Sequence, residues 1–227
     1  MGFFSAIGDF ASSVVSGACS MIGSVCSTVG GAIAAGISTL ATAIAPYLGP
    51  VANIVLAIAN ILGIFKENER PEDLGQAMEQ MDKKPEDFDS INEYIDYLRE
   101  GIRSGEVKLN NNLSDTEKLA YTATGTALGI KAIDEKYQLQ TSAEFWGAMG
   151  SKLEKGKITP DEVNKILETS SKNSVSAENV TNYINGDKMT DGQKASSVSD
   201  AIEGGLKAAN PNMSDEEITS RFNKLIE

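Results

Sequence analysis

The chain has 227 residues, of which 32 are acidic and 20 basic, for a formal net charge of −12, with two cysteines and no histidine. An acidic chain repels nucleic-acid phosphates and anionic headgroups alike, so nucleic acid is not an expected partner and any membrane contact must be hydrophobic. The lack of histidine removes the usual general base, the commonest metal ligand and the physiological-pH switch.

The charge is unevenly spread. Asp9 is the only charged side chain before Lys66, and the 56 residues from Phe10 to Phe65 are all neutral. From Lys66 onward the chain carries 31 acidic and all 20 basic residues, a net charge of −11. Two domains are expected, an uncharged 1–65 and an acidic 66–227.

In chain order, Phe3, Phe4, Ile7 and Phe10 recur at helical spacing, a lead-in suited either to a membrane interface or to the cap of a core. No basic residue precedes Lys66, so a Sec signal is not expected. Ala6 stands where N-myristoylation wants Ser or Thr. Secretion would need another machine.

Residues 12–45 are expected to form a long helix, with a weak point at Gly30 and Gly31. At 100° per residue, Val15, Cys19, Ile22, Cys26, Val29, Ile33, Ile37, Leu40 and Ile44 share one aliphatic face. The other surface is built of small residues, Ser13, Ser16, Gly17, Ser20, Gly23, Ser24, Ser27, Gly31, Ala35 and Ser38 among them. Small residues four apart let a second backbone approach closely, as in packed membrane helices. The aliphatic face suits lipid or a greasy partner, and the small face a close-packed helix or a wet pore. Cys19 and Cys26 lie seven apart on one helical face, where they cannot pair with each other, and read as small apolar residues.

Pro46 and Pro50 bracket Tyr47, Leu48 and Gly49 and predict a turn, after which 51–65 form the second arm of a hairpin. The arms would measure roughly 50 Å and 22 Å against a hydrocarbon core of ~30 Å. Neither matches a simple span. This polarity fits a segment that is soluble first and inserted later, and also a hairpin buried in a soluble domain or assembly. Membrane insertion is the favoured reading.

Beyond Lys66 the sequence turns charged, amphipathic and rich in caps. Helices are expected from Pro71 to about Met81, from Ser90 to near Gly105 and from Ser114 past Ile133, the last with Leu119, Ala120, Ala123, Ala127, Ile130 and Ile133 inward. Gly125 and Gly129, four apart, predict close packing against another helix in a soluble core. Lys118, Lys131, Asp134 and Glu135 are expected to solvate the opposite face. Further helices are expected over 142–155, 159–169, 176–184, 191–209 and 214–226, with Trp146 in a core beside Phe145 and Met149. The fold class is all-α.

No chemistry stands out. Asp82, Glu86, Asp87 and Asp89 read as solvated surface. The segments 155–162 and 187–192 lack the acidic ligands of a calcium loop, and no phosphate loop, nucleophile elbow or zinc spacing occurs. Neither an enzyme nor a cofactor or metal site is expected.

The Met1-Gly2-Phe3-Phe4 start, the Ser/Gly/Ala-rich hairpin, the run from Pro71 to Ala77, and the segments Lys84-Pro85-Glu86-Asp87-Phe88 and Tyr94-Ile95-Asp96-Tyr97-Leu98 together resemble small pore-forming antibacterial effectors of the type VI secretion system. The resemblance covers about the first 105 residues. It implies a secreted, non-enzymatic toxin that is loaded in a secretion tube or onto a chaperone. Such a toxin oligomerises on meeting the lipids of a target cell's inner membrane, and its producer is protected by a cognate immunity protein. The glycine-zipper hairpin is also similar to phage ejection proteins, whose hydrophobic helices line a channel. Neither family supplies a catalytic residue.

Overall fold

A computed structural model describes residues 12–227. The aromatic lead-in expected over residues 3–10 lies outside the described residues. Among the described residues there are eleven α-helices and two short 3-10 turns but no strand, so the fold is all-α. The chain divides into two compact units at Glu135 and Lys136. Composition changes at Lys66, but compactness does not, because the uncharged segment packs with the helices of 66–135 in one unit. Those helices are also the more acidic part, with 17 acidic against 9 basic residues, compared with 14 against 11 in residues 136–227.

In the first unit the long helix expected over 12–45 is broken into α1 (Ser12–Val29) and α2 (Ala32–Ile44). Gly30 and Gly31 take φ of 72° and 96°, left-handed values that a right-handed helix cannot continue through. Residues on either side of the break face each other, Gly23 and Ser27 on α1 across from Ala35 and Thr39 on α2, so the two helices run antiparallel. The hairpin's reversal thus falls at Gly30 and Gly31. The turn expected at 46–50 is instead a 3-10 turn, Ala45–Tyr47, leading directly into α3 (Leu48–Ile61). Pro50 sits in the first turn of α3, where a missing N–H costs little.

Two helices form the centre of this unit. In α3, Leu48, Val51, Ala52, Ile54, Val55, Ile58 and Ala59 are buried. In α6 (Asp115–Tyr137), every residue from Leu119 to Ile130 is buried, including Thr122, Thr124 and Thr126. The expected inward set on α6 is inside, but the helix has no solvated face along that stretch. Lys118 and Lys131 flank it half-buried, and Asp134 is buried, so of the four charges expected outward only Glu135 is exposed.

α4 (Pro71–Gln80) crosses α6 at two glycine notches. A Cβ on Gly75 would overlap the Tyr121 carbonyl oxygen and lie 2.8 Å from its carbonyl carbon. One on Gly125 would overlap the Pro71 carbonyl oxygen and lie 2.5 Å from its carbon. Gly129 meets the Phe65 ring at 2.8 Å in the same way. The expected close packing of Gly125 and Gly129 is therefore backbone against backbone at one and backbone against ring at the other.

α5 (Ile91–Ser104) starts at Ser90, whose Oγ accepts the Glu93 N–H at 3.2 Å, and ends on Gly105 at φ 80°. The Glu93 carboxylate accepts from the Asp89 N–H rather than closing the box on Ser90. The Glu135 carboxylate adds a second cap from a distant helix by accepting the Ile91 N–H at 2.8 Å. Ser114 and Glu117 form a reciprocal capping box at the head of α6.

Glu72, in the first turn of α4, is 5 % exposed and its Oε2 has no hydrogen-bond partner among the described residues. Burial pushes its pKa up, and the neighbouring Arg70 and Lys118 offset this only in part. A carboxyl whose folded pKa is raised destabilises the fold above that pKa, and the unit recovers stability as pH falls through it. Glu72→Gln is therefore expected to raise the urea midpoint at pH 7. The gain should shrink as the pH is lowered into the carboxylate range, and an unchanged or lower midpoint at pH 7 would contradict this.

The second unit contains α7 (Ala143–Glu154), α8 (Pro160–Lys172), α9 (Ala177–Asn185), α10 (Ala195–Ala209) and α11 (Asp215–Ile226). Trp146 is fully buried, edge-on to Phe145, with its Nε1 donating to Thr141 Oγ1 at 2.6 Å. α8 and α10 cross where a Cβ on Gly205 would stand 2.7 Å from the Ile166 Cα. α10 starts four residues later than expected because Asp191 and Gly192 take φ of 54° and 69°. The Asn179 side chain ties that loop by accepting the Thr190 N–H at 2.7 Å.

Candidate functional site, a small-residue hairpin and its hinge

The aliphatic face expected to meet lipid is turned into the first unit. Ile22, Cys26, Val29, Ile37, Leu40 and Ile44 are buried, while Val15, Cys19 and Ile33 are half-buried. Burial of an aliphatic face of this kind against other apolar side chains is what the hydrophobic effect favours. Both cysteines are free thiols.

The small-residue face points the other way. Ser13, Ser16, Ser20, Ser24, Ser27, Gly31 and Ala35 are exposed, and Gly17, Gly23 and Ser38 are partly so. Gly23, Ser27, Gly31, Ala35 and Ser38 come together along a groove of about 350 Å³ between α1 and α2. Ser13, Ser16, Ser20 and Ser24 do not line it. Gly17 is used within the unit, since a Cβ there would lie 3.0 Å from the Thr116 methyl.

Several hydroxyls bond back to their own helices. Ser27 Oγ donates to the Ser24 carbonyl at 2.9 Å, Thr28 Oγ1 to the same carbonyl at 3.0 Å, and Thr39 Oγ1 to that of Ala35 at 3.0 Å. A hydroxyl satisfied in this way loses less on leaving water. The exposed face is polar in composition yet partly self-satisfied.

At the hinge the hairpin meets charges that it does not possess. Gly31 starts α2 with φ 96° and ψ 165° and offers no side chain as a cap. The Glu86 carboxylate fills that position, its Oε1 accepting the Ile33 N–H at 2.5 Å. A Cβ on Gly31 would lie 2.6 Å from the Glu86 carboxyl carbon. The Lys84 ammonium lies 3.6 Å from where a Cβ on Gly30 would stand, next to the C-terminal end of α1. An anion at the start of one helix and a cation at the end of the other both suit the helix dipoles.

At the far end of the apolar segment, Arg99 donates to the Ile64 carbonyl, to Glu69 at 2.6 Å and to Asp96 at 2.6 Å. Sequence reasoning missed Glu86, Lys84 and Arg99. Glu86 in particular is a cap and not merely solvated surface. The available signal was negative, namely a helix preceded by Gly-Gly with no Ser, Thr, Asp or Asn to cap it.

Among the described residues no group of three or more His, Cys, Asp or Glu side chains is placed to hold a metal ion. Comparison with protein-family models, curated proteins and solved structures gives no match for this chain.

Proposed function

We propose that this protein is a secreted antibacterial toxin that leaves a closed, water-soluble form to enter a target cell's inner membrane, where several copies form an ion-permeable pore. The observation that carries this reading is a continuous uncharged segment whose aliphatic face is covered by its own unit and whose outward face is made of small residues. A hairpin serving only as a core would have little reason to keep its outer face free of charge.

Two stretches have the length and apolarity for a membrane. Ser12–Val29 has 18 residues with a mean hydropathy of 1.3, and Ala32–Ile61 has 30 with 1.6. At ~1.5 Å per residue they extend about 27 Å and 45 Å, against a hydrocarbon core of ~30 Å. The first fits nearly upright, and the second tilts or bends near Tyr47, which already departs from helical conformation at φ −131° and ψ 36°. The small residues of α1 and α2 would pack copy against copy, with Ser16, Ser20, Ser24 and Ser27 around a neutral lumen of weak charge selectivity. Delivery by a type VI secretion tube or chaperone, and a cognate immunity protein in the producer, belong to the same proposal and rest on the resemblance described above.

Gly23 offers the cleanest test, because a Cβ there meets nothing within 4 Å among the described residues and the closed form accommodates it. Liposomes holding an ion gradient should lose it on addition of the wild-type protein. Gly23→Ile should reduce the rate at least about tenfold, the loss of roughly 1.4 kcal/mol of packing between copies, with the unfolding midpoint little changed. A gradient that survives the wild-type protein overturns the reading. Full activity in Gly23→Ile overturns the small-residue contact. A phage ejection or structural component would leave the membrane potential intact when directed to the periplasm of a sensitive cell, whereas the toxin should collapse it.

A further inference from the structure

We propose that the turn from Lys84 to Asp87 is a latch that holds the α1–α2 hairpin closed, and that its release frees α1 for insertion; the second part rests on the pore-forming reading. The first N–H groups of any α-helix lack partners within the helix, and α2 has no capping side chain of its own. The partner for Ile33 comes from 53 residues further along the chain. Glycine at position 31 makes the contact possible, both by its backbone conformation and by the space it leaves for the carboxylate.

The turn that presents Glu86 is itself rigid. Pro85 fixes one backbone angle, the Asp87 carboxylate accepts the Lys84 N–H at 2.8 Å, and the Asp87 N–H donates to the Lys84 carbonyl at 3.0 Å. Glu86 is nevertheless exposed, and a cavity of about 220 Å³ lined by Ile33, Pro85, Phe88 and Lys131 opens nearby. A solvent-reachable carboxylate on a helix end stabilises only modestly. That strength is enough to bias the hairpin towards closure and weak enough to yield.

The two ends of the apolar segment differ in how firmly they are held. Arg99, its side chain 14 % exposed, grips three partners at the exit of the segment, while the hinge is held by the exposed Glu86. α1 has 28 % of its residues buried, against 56 % of the 18-residue apolar window within Ala32–Ile61. Opening therefore starts at the hinge and carries α1 outward about Gly30 and Gly31, while α3 stays in the core until later.

Hydrogen exchange on the full-length protein reads the latch without reference to any membrane. Glu86→Ala should speed exchange of the amides at 32–35 about fivefold. It should also hasten loss of the ion gradient from liposomes by a similar factor. Glu100→Ala is the charge-matched control, since among the described residues Glu100 pairs with Arg103 on its own helix alone, and it should do neither. Unchanged exchange at 32–35 overturns the latch, and so does equally fast gradient loss in Glu86→Ala and Glu100→Ala. If exchange quickens in Glu86→Ala but neither it nor the wild type discharges liposomes, the latch stands and the pore-forming reading falls.

Discussion

Replacing Gly125 with alanine is expected to cost the first unit about 3 kcal/mol or more, among the larger penalties that one added methyl imposes on a packed core. The reason lies in what the new Cβ would strike. It would overlap the Pro71 carbonyl oxygen and stand 2.5 Å from the carbon and 2.9 Å from the Cα, all backbone atoms that no rotamer change can move aside. Relief requires α4 to shift as a body, which drags Leu74, Ala77 and Met78 out of the core and lifts Gly75 from its seat on Tyr121. Against a total stability of ~5–15 kcal/mol, such a loss leaves the unit close to its unfolding threshold. Gly23→Ala makes the contrast, being a helical glycine with open space at its Cβ, and should be neutral or stabilising by up to ~1 kcal/mol. Urea unfolding followed by circular dichroism distinguishes the two. A cost below about 1 kcal/mol for Gly125→Ala would show that the crossing of α4 and α6 is looser than described.

Arg221→Ala is expected to destabilise the second unit by about 3–5 kcal/mol, the usual result of stranding one member of a buried ion pair. Glu162, at 1 % exposure, accepts from Arg221 Nε and Nη2 at 2.7 Å each, from Asn210 Nδ2 at 3.0 Å and from the Thr159 N–H at 2.7 Å. Burial alone would raise its pKa, but Arg221, the Thr159 N–H and Asn210 together outweigh it and hold the carboxyl below the ordinary range. The sign follows from linkage. With a folded pKa below the unfolded one, the contribution is present above the unfolded carboxylate pKa of ~4.3 and is lost as pH falls through the folded value. The fluorescence of Trp146, the only tryptophan, reports this unit's core. In Arg221→Ala its urea midpoint should fall sharply at pH 7, and the deficit relative to the wild type should narrow in acid. An equal deficit at all pH values would contradict the assignment.

Features with local causes were legible in the sequence. The helices expected to start near Ser142, Thr159, Ser176 and Ser214 all do so, each capped by that residue's hydroxyl, because a hydroxyl and the N–H three residues on lie within one turn. Gly105 ends α5 for an equally local reason. The aliphatic face of α1 and α2 was legible from periodicity alone, though not what covers it, since lipid and protein interior ask the same of a side chain.

What depended on distant contacts was not legible. The reversal was expected at the Pro46–Pro50 pair, yet a proline in the first turn of a helix is harmless while two adjacent left-handed glycines are not. The solvated reading of Asp82, Glu86 and Asp87 ignored what each side chain reaches, namely the Tyr97 hydroxyl, the Ile33 N–H and the Lys84 N–H. For Glu86 that partner is 53 positions away. The burial of α6 on all sides was hidden because its Thr and Gly residues look neutral in any hydropathy pattern but fill a narrow space well.

The capping of α2 by Glu86 also bears on inheritance. A recombination event that moved residues 12–61 into another chain would carry two apolar helices and a glycine break but leave behind the carboxylate that completes the second helix. The hairpin and the turn from Lys84 to Asp87 are one structural module despite the helix of 71–80 lying between them. A drift at Glu86 is then a change to the hairpin itself, made outside its borders.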